Sequence, residues 1–162
     1  KSTLLDTITG LLPKKSGQIL INGKLSYAKQ AEGFQENMTC LDSLKLEAIY
    51  AGLSKKIAKE RISHYSKECA VHSFLSKKVN QLSAGMKVRL MLTASLLVEP
   101  EILLLDESFN ALDEESIIAI KEILKKQKEK GLSILFVSHN KNHFAELCES
   151  ILYFPELEEE MI

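Results

Sequence analysis

Two apolar runs separated by one clearly bounded helix constrain the fold of this chain more than any other feature. The runs are ILLL at residues 102–105 and ILFV at residues 134–137. Between them, Asp113 stands where it would cap a helix, two glutamates follow in the first turn, lysines fill the last turn, and Gly131 comes just past the end. This order predicts a right-handed crossover between two parallel strands, both of them buried on both faces.

The carboxyl ends of these two strands carry the residues that point to chemistry. In open α/β sheets ligands bind beyond the carboxyl ends of the strands, and that edge here presents Asp106, Glu107 and His139. A carboxylate at a buried strand tip needs a cation or a hydrogen-bonding partner, and no basic residue stands close by in the sequence. A divalent metal ion bearing phosphate ligands would engage one acid and leave the other to orient or deprotonate a water molecule. Structural carboxylates satisfied by a distant residue are the alternative.

The rest of the sequence alternates short strand candidates with longer helical patterns. GQILING at 17–23 and KLSYAK at 24–29 have the appearance of short strands, and a last helical stretch is expected around NHFAELC at 142–148. This alternation is typical of the α/β class, with a mostly parallel sheet flanked by helices.

One long internal region departs from that alternation. Residues 38–97 carry apolar positions at helical spacing and no convincing strand. We therefore expect a single domain over residues 1–162, in which a mostly helical subdomain at 38–97 is inserted between α/β core portions at 1–37 and 98–162.

The net charge and the cysteine content of the chain limit which partners and which redox state we expect. The 162 residues carry 21 basic and 22 acidic side chains, so no overall charge attracts nucleic acid or an anionic surface, and we expect no nucleic-acid partner. Cys40, Cys69 and Cys148 are odd in number and lack metal-ligand spacing, which predicts reduced thiols in a cytosolic protein. No apolar run approaches the roughly 20 residues that span a bilayer.

The first residues indicate phosphate binding when they are considered together with the acids. KSTLLDTITGLL begins with Lys1, Ser2 and Thr3 and continues into a helical pattern. It matches the second half of the element G-x-x-x-x-G-K-[ST], in which glycine amides cradle phosphates, the lysine reaches the terminal phosphates and the hydroxyl holds magnesium. The tripeptide alone is more often an ordinary surface segment, so its weight comes from the other motifs.

In this arrangement the sequence resembles the nucleotide-binding domain of ATP-binding cassette (ABC) proteins. The resemblance covers essentially all of the chain, and six motifs occur in the family's order. The matching positions are Lys1, Ser2 and Thr3 for the phosphate loop, Gln30 for the Q-loop, LSAGM at 82–86 for the signature, ILLLDE for Walker B, NALD at 110–113 for the D-loop, and His139 for the switch histidine. Gln35 is a rival for the Q-loop position.

The resemblance implies a P-loop NTPase core that binds ATP and Mg²⁺. It implies Glu107 as the catalytic carboxylate and His139 as the residue that senses the γ-phosphate, and it makes Ser2, Gln30 and Asp106 the magnesium ligands. Lys1 and Thr3 join the ATP contacts. Two cassettes would meet head to tail, so that Ser83, Gly85 and Asp113 serve the nucleotide of the partner. Ser83 also has a simpler interpretation as an ordinary helix N-cap, which is compatible with anion binding.

Departures from the family pattern limit these expectations. Ala84, Met86 and Ser108 replace the usual glycine, glutamine and proline, and the loop glycines do not occur ahead of Lys1. We therefore expect residues 1–162 alone to bind ATP poorly.

The signature LSAGM is similar to those of bacterial exporter cassettes. The resemblance thus implies a cytoplasmic ATPase subunit, peripheral on the inner face of the membrane, that works with a second cassette and a transmembrane permease. A soluble ABC ATPase acting on ribosomes or DNA, or a catalytically impaired cassette, is the alternative. An impaired cassette would be expected to lack Glu107 or His139, and both are present.

Overall fold

The structure, a computed structural model, describes residues 2–28, 33–106, 109, 112–138 and 144–151. Five helices and three strands are formed by these residues. In chain order they are α1 (Ser2–Ile8), β1 (Leu25–Ala28), α2 (Cys40–Tyr50), α3 (Lys55–Glu68), α4 (Ala84–Leu96), β2 (Ile102–Asp106), α5 (Glu114–Glu129) and β3 (Ser133–Val137). Short 3₁₀ turns cover His72–Phe74, Val79–Gln81 and Ala145–Leu147.

The three strands form one parallel sheet in the order β1-β2-β3. Tyr27 of β1 is in register with Leu104 of β2, and Asp106 at the end of β2 is in register with Val137 of β3. Because α5 connects two parallel strands, β2 and β3 end at the same edge of the sheet. The α/β class predicted from the sequence is confirmed.

The central strand is buried on both faces, as predicted. On one face, Leu103 and Leu105 join the large hydrophobic core. That core also takes in Val88, Leu92 and Leu96, which recur every four residues along α4 and so lie on one side of that helix. The helices between residues 38 and 97 thus share a core with the sheet, while the subdomain boundaries remain a prediction.

The prediction that β3 is buried on both faces is wrong. Leu135 is 39% exposed, and Ser133 at the start of the strand is exposed as well. The face of the sheet opposite the large core is covered by the short helix α1, where Leu5 packs with Leu104 and Val137. Because α1 has only seven residues, it covers Val137 at the end of β3 and leaves the middle of the strand exposed to solvent.

Two other segments differ from the sequence-based expectation. No strand forms over residues 17–23 of the described chain, where Gly17 and Gly23 have positive φ angles and Leu20 is largely exposed. A strand needs a neighbouring strand to satisfy its backbone, and this segment pairs with none among the described residues. Within NHFAELC, residues 144–148 are described and form only a short 3₁₀ turn at Ala145–Leu147, and residues 142–143 lie outside the described residues.

The end of α5 and the state of the cysteines agree with the sequence. Gly131 follows the helix with φ +98°, and its N–H donates to Lys128 at 2.9 Å, which closes the last turn. Cys40, Cys69 and Cys148 are all free thiols. In the part of the chain that the structure describes, no helix has the length and apolar character needed to cross a bilayer.

Candidate functional site

Three polar side chains from three elements meet at the end of the central strand, and we call them the sheet-edge cluster: Ser2, Tyr27 and Asp106. Asp106 is only 5% exposed. The Ser2 hydroxyl donates to Asp106 Oδ1 at 3.0 Å, and the Tyr27 hydroxyl donates to Asp106 Oδ2 at 3.2 Å. Each carboxylate oxygen therefore has its own hydroxyl donor, which is what a buried carboxylate requires.

The strand register explains how Tyr27 reaches Asp106. Residues two apart on a strand lie on the same face, so Asp106 shares a face with Leu104. Leu104 is paired with Tyr27 across β1 and β2. The same face packs against α1, whose Leu5 contacts Leu104 and whose first residue in the helix is Ser2. The fold thus brings the two hydroxyls and the carboxylate to one place.

The environment keeps the Tyr27 hydroxyl protonated. Burial raises the pKa of Tyr27 above its ordinary value, and the charge and hydrogen bond of Asp106 raise it further, with a smaller contribution from Asp6. A neutral phenol is a donor, so at neutral pH the Tyr27 hydroxyl keeps the proton that it donates to Asp106 Oδ2. Sequence reasoning missed Tyr27 because its position depends on the register between two distant strands.

The chemistry of Ser2 and Asp106 fits magnesium. A hydroxyl and a carboxylate are hard oxygen donors, the kind that Mg²⁺ prefers. Among the described residues, no group of three or more His, Cys, Asp or Glu side chains has the arrangement of a metal site. This donor set therefore suits an ion whose other ligands are water and phosphate, rather than one held in a cage of protein ligands.

A second polar group, which we call the helix-start cluster, is formed by Ser83, Gly85, Asp113 and Ser116. Ser83 is the N-cap of α4, and its hydroxyl accepts from the Met86 N–H at 3.2 Å. Asp113 is the N-cap of α5, and its carboxylate accepts from the Ser116 N–H at 2.7 Å. Both caps were indicated by the sequence, and both are present in the structure.

Gly85 brings the two helix starts into contact. A Cβ atom at Gly85 would lie 2.1 Å from the Ser116 Oγ and 2.7 Å from its Cβ, so only glycine permits this approach. Ser83 and Asp113 themselves are exposed. The N-termini of α4 and α5, each with the positive end of its helix dipole, thus lie side by side with their capping residues exposed, an arrangement that favours an anion.

Asp113 is charged in this arrangement. The Ser116 backbone N–H holds the pKa of the Asp113 carboxyl below its ordinary value, and the Ser116 side chain adds to the effect. Sequence reasoning named Asp113 and not Ser116, whose contact with Gly85 joins two helices that are distant in sequence.

Some of the remaining predicted site residues lie outside the described structure, and the others are exposed on its surface. Lys1, Gln30, Glu107 and His139 lie outside the described residues, so their roles stay predictions. Thr3 is exposed on α1 and its carbonyl accepts from the Thr7 hydroxyl at 2.7 Å. Gln35, the rival to Gln30, is exposed.

A groove of about 230 Å³ lies beside the sheet-edge cluster, between β1, α2 and α4. Its walls include Phe34, Glu47, Tyr50 and Met91. Burial raises the pKa of Glu47 above its ordinary value. Tyr50, which lines the groove, is a highly exposed side chain.

Comparison with known sequences supports an assignment for these sites. Residues 1–110 match the family described as ABC transporter. The uncharacterized ABC transporter ATP-binding protein YhaQ of Bacillus subtilis is 31% identical over 160 residues, which cover 93% of this chain and 54% of YhaQ. The teichoic acids export ATP-binding protein TagH of Levilactobacillus brevis is 28% identical, with 94% and 42% covered. The chain therefore spans about half the length of these curated relatives.

Solved structures give the same picture. The ATP-binding subunit of an ABC transporter superimposes with a TM-score of 0.75 at 30% identity, over 91% of this chain and 67% of the other. A dimeric ATP-binding cassette in a post-hydrolysis state, bound to ADP and phosphate, superimposes with a TM-score of 0.73 at 25% identity, over 88% and 71%. The architecture is thus that of a P-loop NTPase domain.

Proposed function

Since the chain belongs to the ABC transporter family, we propose that it is the ATP-binding and ATP-hydrolysing part of a subunit that powers a membrane exporter. The observation that carries the proposal is the 3.0 Å hydrogen bond between Ser2 and Asp106, two residues 104 positions apart. It joins the hydroxyl of the phosphate-loop motif to the acid of the Walker B motif, as binding of a metal-nucleotide complex requires.

The chain's own residues divide the work on the nucleotide. Lys1 would offset negative charge on the terminal phosphates, Thr3 would contribute a hydroxyl contact, and Ser2, Asp106 and Gln30 would hold Mg²⁺. When bound, the metal would supply further positive charge against the phosphates.

The reaction itself falls to residues at the strand ends. Glu107, next to Asp106 in sequence, orients and deprotonates the attacking water, and His139 contacts the γ-phosphate. Glu107 suits a base because the neighbouring Asp106 is already engaged by Ser2 and Tyr27.

The helix-start cluster serves a second copy of the cassette. Ser83 and Asp113 are exposed, and the two helix N-termini they cap offer amides to an anion from outside the chain. Head-to-tail pairing would place this cluster on the γ-phosphate held by the partner cassette. A relative of known structure is dimeric with ADP and phosphate bound, which supports this arrangement.

Export and a permease partner complete the proposal. TagH, a relative, is named for the export of teichoic acids. The groove lined by Phe34, Glu47 and Tyr50 offers a surface for a transmembrane permease. The family resemblance makes Gln30, at the join between the core and the helical portion of the sequence, the residue that would relay between them. The subunit would then lie in the cytoplasm against the inner face of the membrane. With a net charge of −1, the chain shows no surplus of positive charge for nucleic acid.

The test uses the intact protein and the substitution Glu107→Gln. We expect ATP turnover to fall about 100-fold or more, because a general base contributes roughly 10²–10⁴ to the rate, while an ATP-bound dimer accumulates in gel filtration. Glu122→Gln, an exposed position on α5, is the control and should behave as wild type. A wild-type protein that neither hydrolyses ATP nor dimerises with it would show that the cassette is not catalytic.

A further inference from the structure

We propose that Tyr27 is a positioning residue for magnesium: its hydroxyl holds the Asp106 carboxylate in the orientation in which Ser2 and Asp106 bind the metal of a metal-nucleotide complex. The inference rests on the proposed function and extends it to a residue outside the motifs. Tyr27 makes no contact with the nucleotide in this account and acts only through Asp106.

The hydrogen bonds at Asp106 show why one hydroxyl is not enough. The terminal torsion of an aspartate is broad, so an unheld carboxylate turns within its site. Ser2 fixes Oδ1 at 3.0 Å, and Tyr27 fixes Oδ2 at 3.2 Å. When Ser2 turns a lone pair toward a cation, the bond from the Tyr27 hydroxyl to Oδ2 continues to hold the orientation of the carboxylate.

Tyr27 is itself held in place, which a positioning residue must be. Its backbone lies in β1, paired with β2 at Leu104. Its ring is partly buried against the cluster of Leu5, Leu104 and Val137. The position of the hydroxyl beside Asp106 is therefore fixed by a paired strand and a packed ring rather than by a loop.

Asp6 on α1 is a second carboxylate near this hydroxyl, and it contributes to the raised pKa of Tyr27. The Tyr27 hydroxyl donates to Asp106 Oδ2 at 3.2 Å, and this bond carries the positioning role.

The experiment measures metal binding directly, with Mn²⁺ as the probe. In the intact protein saturated with ADP, Mn²⁺ affinity is followed by electron paramagnetic resonance for wild type and Tyr27→Phe. We expect about a tenfold loss of Mn²⁺ affinity. Mutation of a residue that hydrogen-bonds a metal ligand typically lowers metal affinity by about 10–100-fold. ADP affinity in EDTA should stay unchanged, and excess Mg²⁺ should restore the ATP turnover of Tyr27→Phe.

Tyr65→Phe is the matched control, because Tyr65 is also a partly buried tyrosine, packed against the large core from α3. It should leave Mn²⁺ affinity at the wild-type value. Because phenylalanine keeps the buried ring, Tyr27→Phe should fold, and a thermal melt establishes that it does.

The outcomes separate this inference from the proposed function. Equal Mn²⁺ affinity in Tyr27→Phe and wild type would overturn the inference alone. The inference would also be overturned if Tyr27→Phe bound ADP more weakly in EDTA and excess Mg²⁺ did not restore its ATP turnover. The Tyr27 hydroxyl would then support only the fold. A wild-type protein that binds ADP without any Mn²⁺ would overturn the inference and the proposed function together.

Discussion

The sheet-edge cluster and the helix-start cluster use similar polar groups in opposite ways. In the first, Asp106 is 5% exposed and both of its oxygens accept from hydroxyls, Ser2 and Tyr27. In the second, Ser83 and Asp113 are exposed and each accepts from an amide of its own helix. The first cluster is closed around a buried negative charge that suits a cation, whereas the second is open and offers helix amides to an anion.

The difference in burial explains why the sheet-edge cluster is satisfied within one chain, whereas the helix-start cluster suits a ligand held by another molecule. A buried carboxylate is costly unless its hydrogen bonds are made inside the chain, so the sheet-edge cluster is complete within one molecule. Helix caps at the surface cost little, and the amides left over are satisfied by solvent or by a ligand. The helix-start cluster therefore gains most from a phosphate brought by another molecule.

The contact between Gly85 and Ser116 gives the sharpest test of the helix-start cluster. Gly85→Ala places a Cβ 2.1 Å from the Ser116 Oγ, and we expect it to lower the free energy of unfolding by about 1–2 kcal/mol, since overpacking outweighs the helix preference of alanine. Urea unfolding measures the change. In a Ser116→Gly background the nearest remaining Ser116 atom would be the Cα at 3.8 Å, and Gly85→Ala should then be neutral or stabilising. An equal cost in both backgrounds would show that the two helix starts do not touch.

A pair of capping serines tests whether Ser83 has a role beyond its own helix. Ser83→Ala should lower the free energy of unfolding by about 1 kcal/mol through loss of the cap, and it should also weaken ATP-dependent dimerisation. Ser54 caps α3 in the same way, accepting from the Ile57 N–H at 3.4 Å. Ser54→Ala should destabilise the fold comparably and leave dimerisation unchanged, as measured by analytical ultracentrifugation with ATP. Equal ATP-dependent dimerisation of Ser83→Ala and Ser54→Ala would show that Ser83 acts only as a helix cap.

The charge of Asp113 gives the smallest effect and one that depends on pH. Asn also caps helices well, so Asp113→Asn removes mainly the charge. The pKa of Asp113 is lowered in the fold, chiefly by the Ser116 N–H. Its stabilising contribution is therefore fully present above the unfolded-state pKa of about 3.9, and it is lost as the pH falls through the lowered native pKa. Wild type should melt slightly higher than Asp113→Asn at pH 7, and the difference should shrink at pH 3. A difference that grows toward low pH would contradict the assignment of a charged carboxylate.

Local sequence features predicted those parts of the molecule whose structure is decided locally. The caps Ser83 and Asp113, the glycine that ends α5 and the apolar strand β2 could be assigned because each depends on residues close in sequence. The rule that ligands bind beyond the carboxyl ends of parallel strands pointed to Asp106, and the family resemblance implied that the phosphate-loop motif lies beside it.

Features that depend on distant partners could not be predicted. Leu135 belongs to a continuous apolar run, yet its face is exposed because α1 ends after seven residues. Residues 17–23 have strand-like composition, but strand formation depends on a neighbour that composition does not reveal. Tyr27 became a site residue only through the register of β1 with β2.

The division of labour between the two clusters is tested most directly by mixing two inactive variants of the intact protein. Asp106→Asn disables the sheet-edge cluster. Ser83→Asp keeps a capping side chain and sets a negative charge against the phosphate, so it disables the helix-start cluster. In a head-to-tail pair, a mixed dimer of the two variants retains one site in which both clusters are wild type. With random pairing, half of the dimers are mixed and each has one intact site of two, so ATP turnover should recover to about a quarter of the wild-type rate. Turnover that stays at the level of the separate variants would show that both clusters act on the same chain's nucleotide, and the account would be wrong.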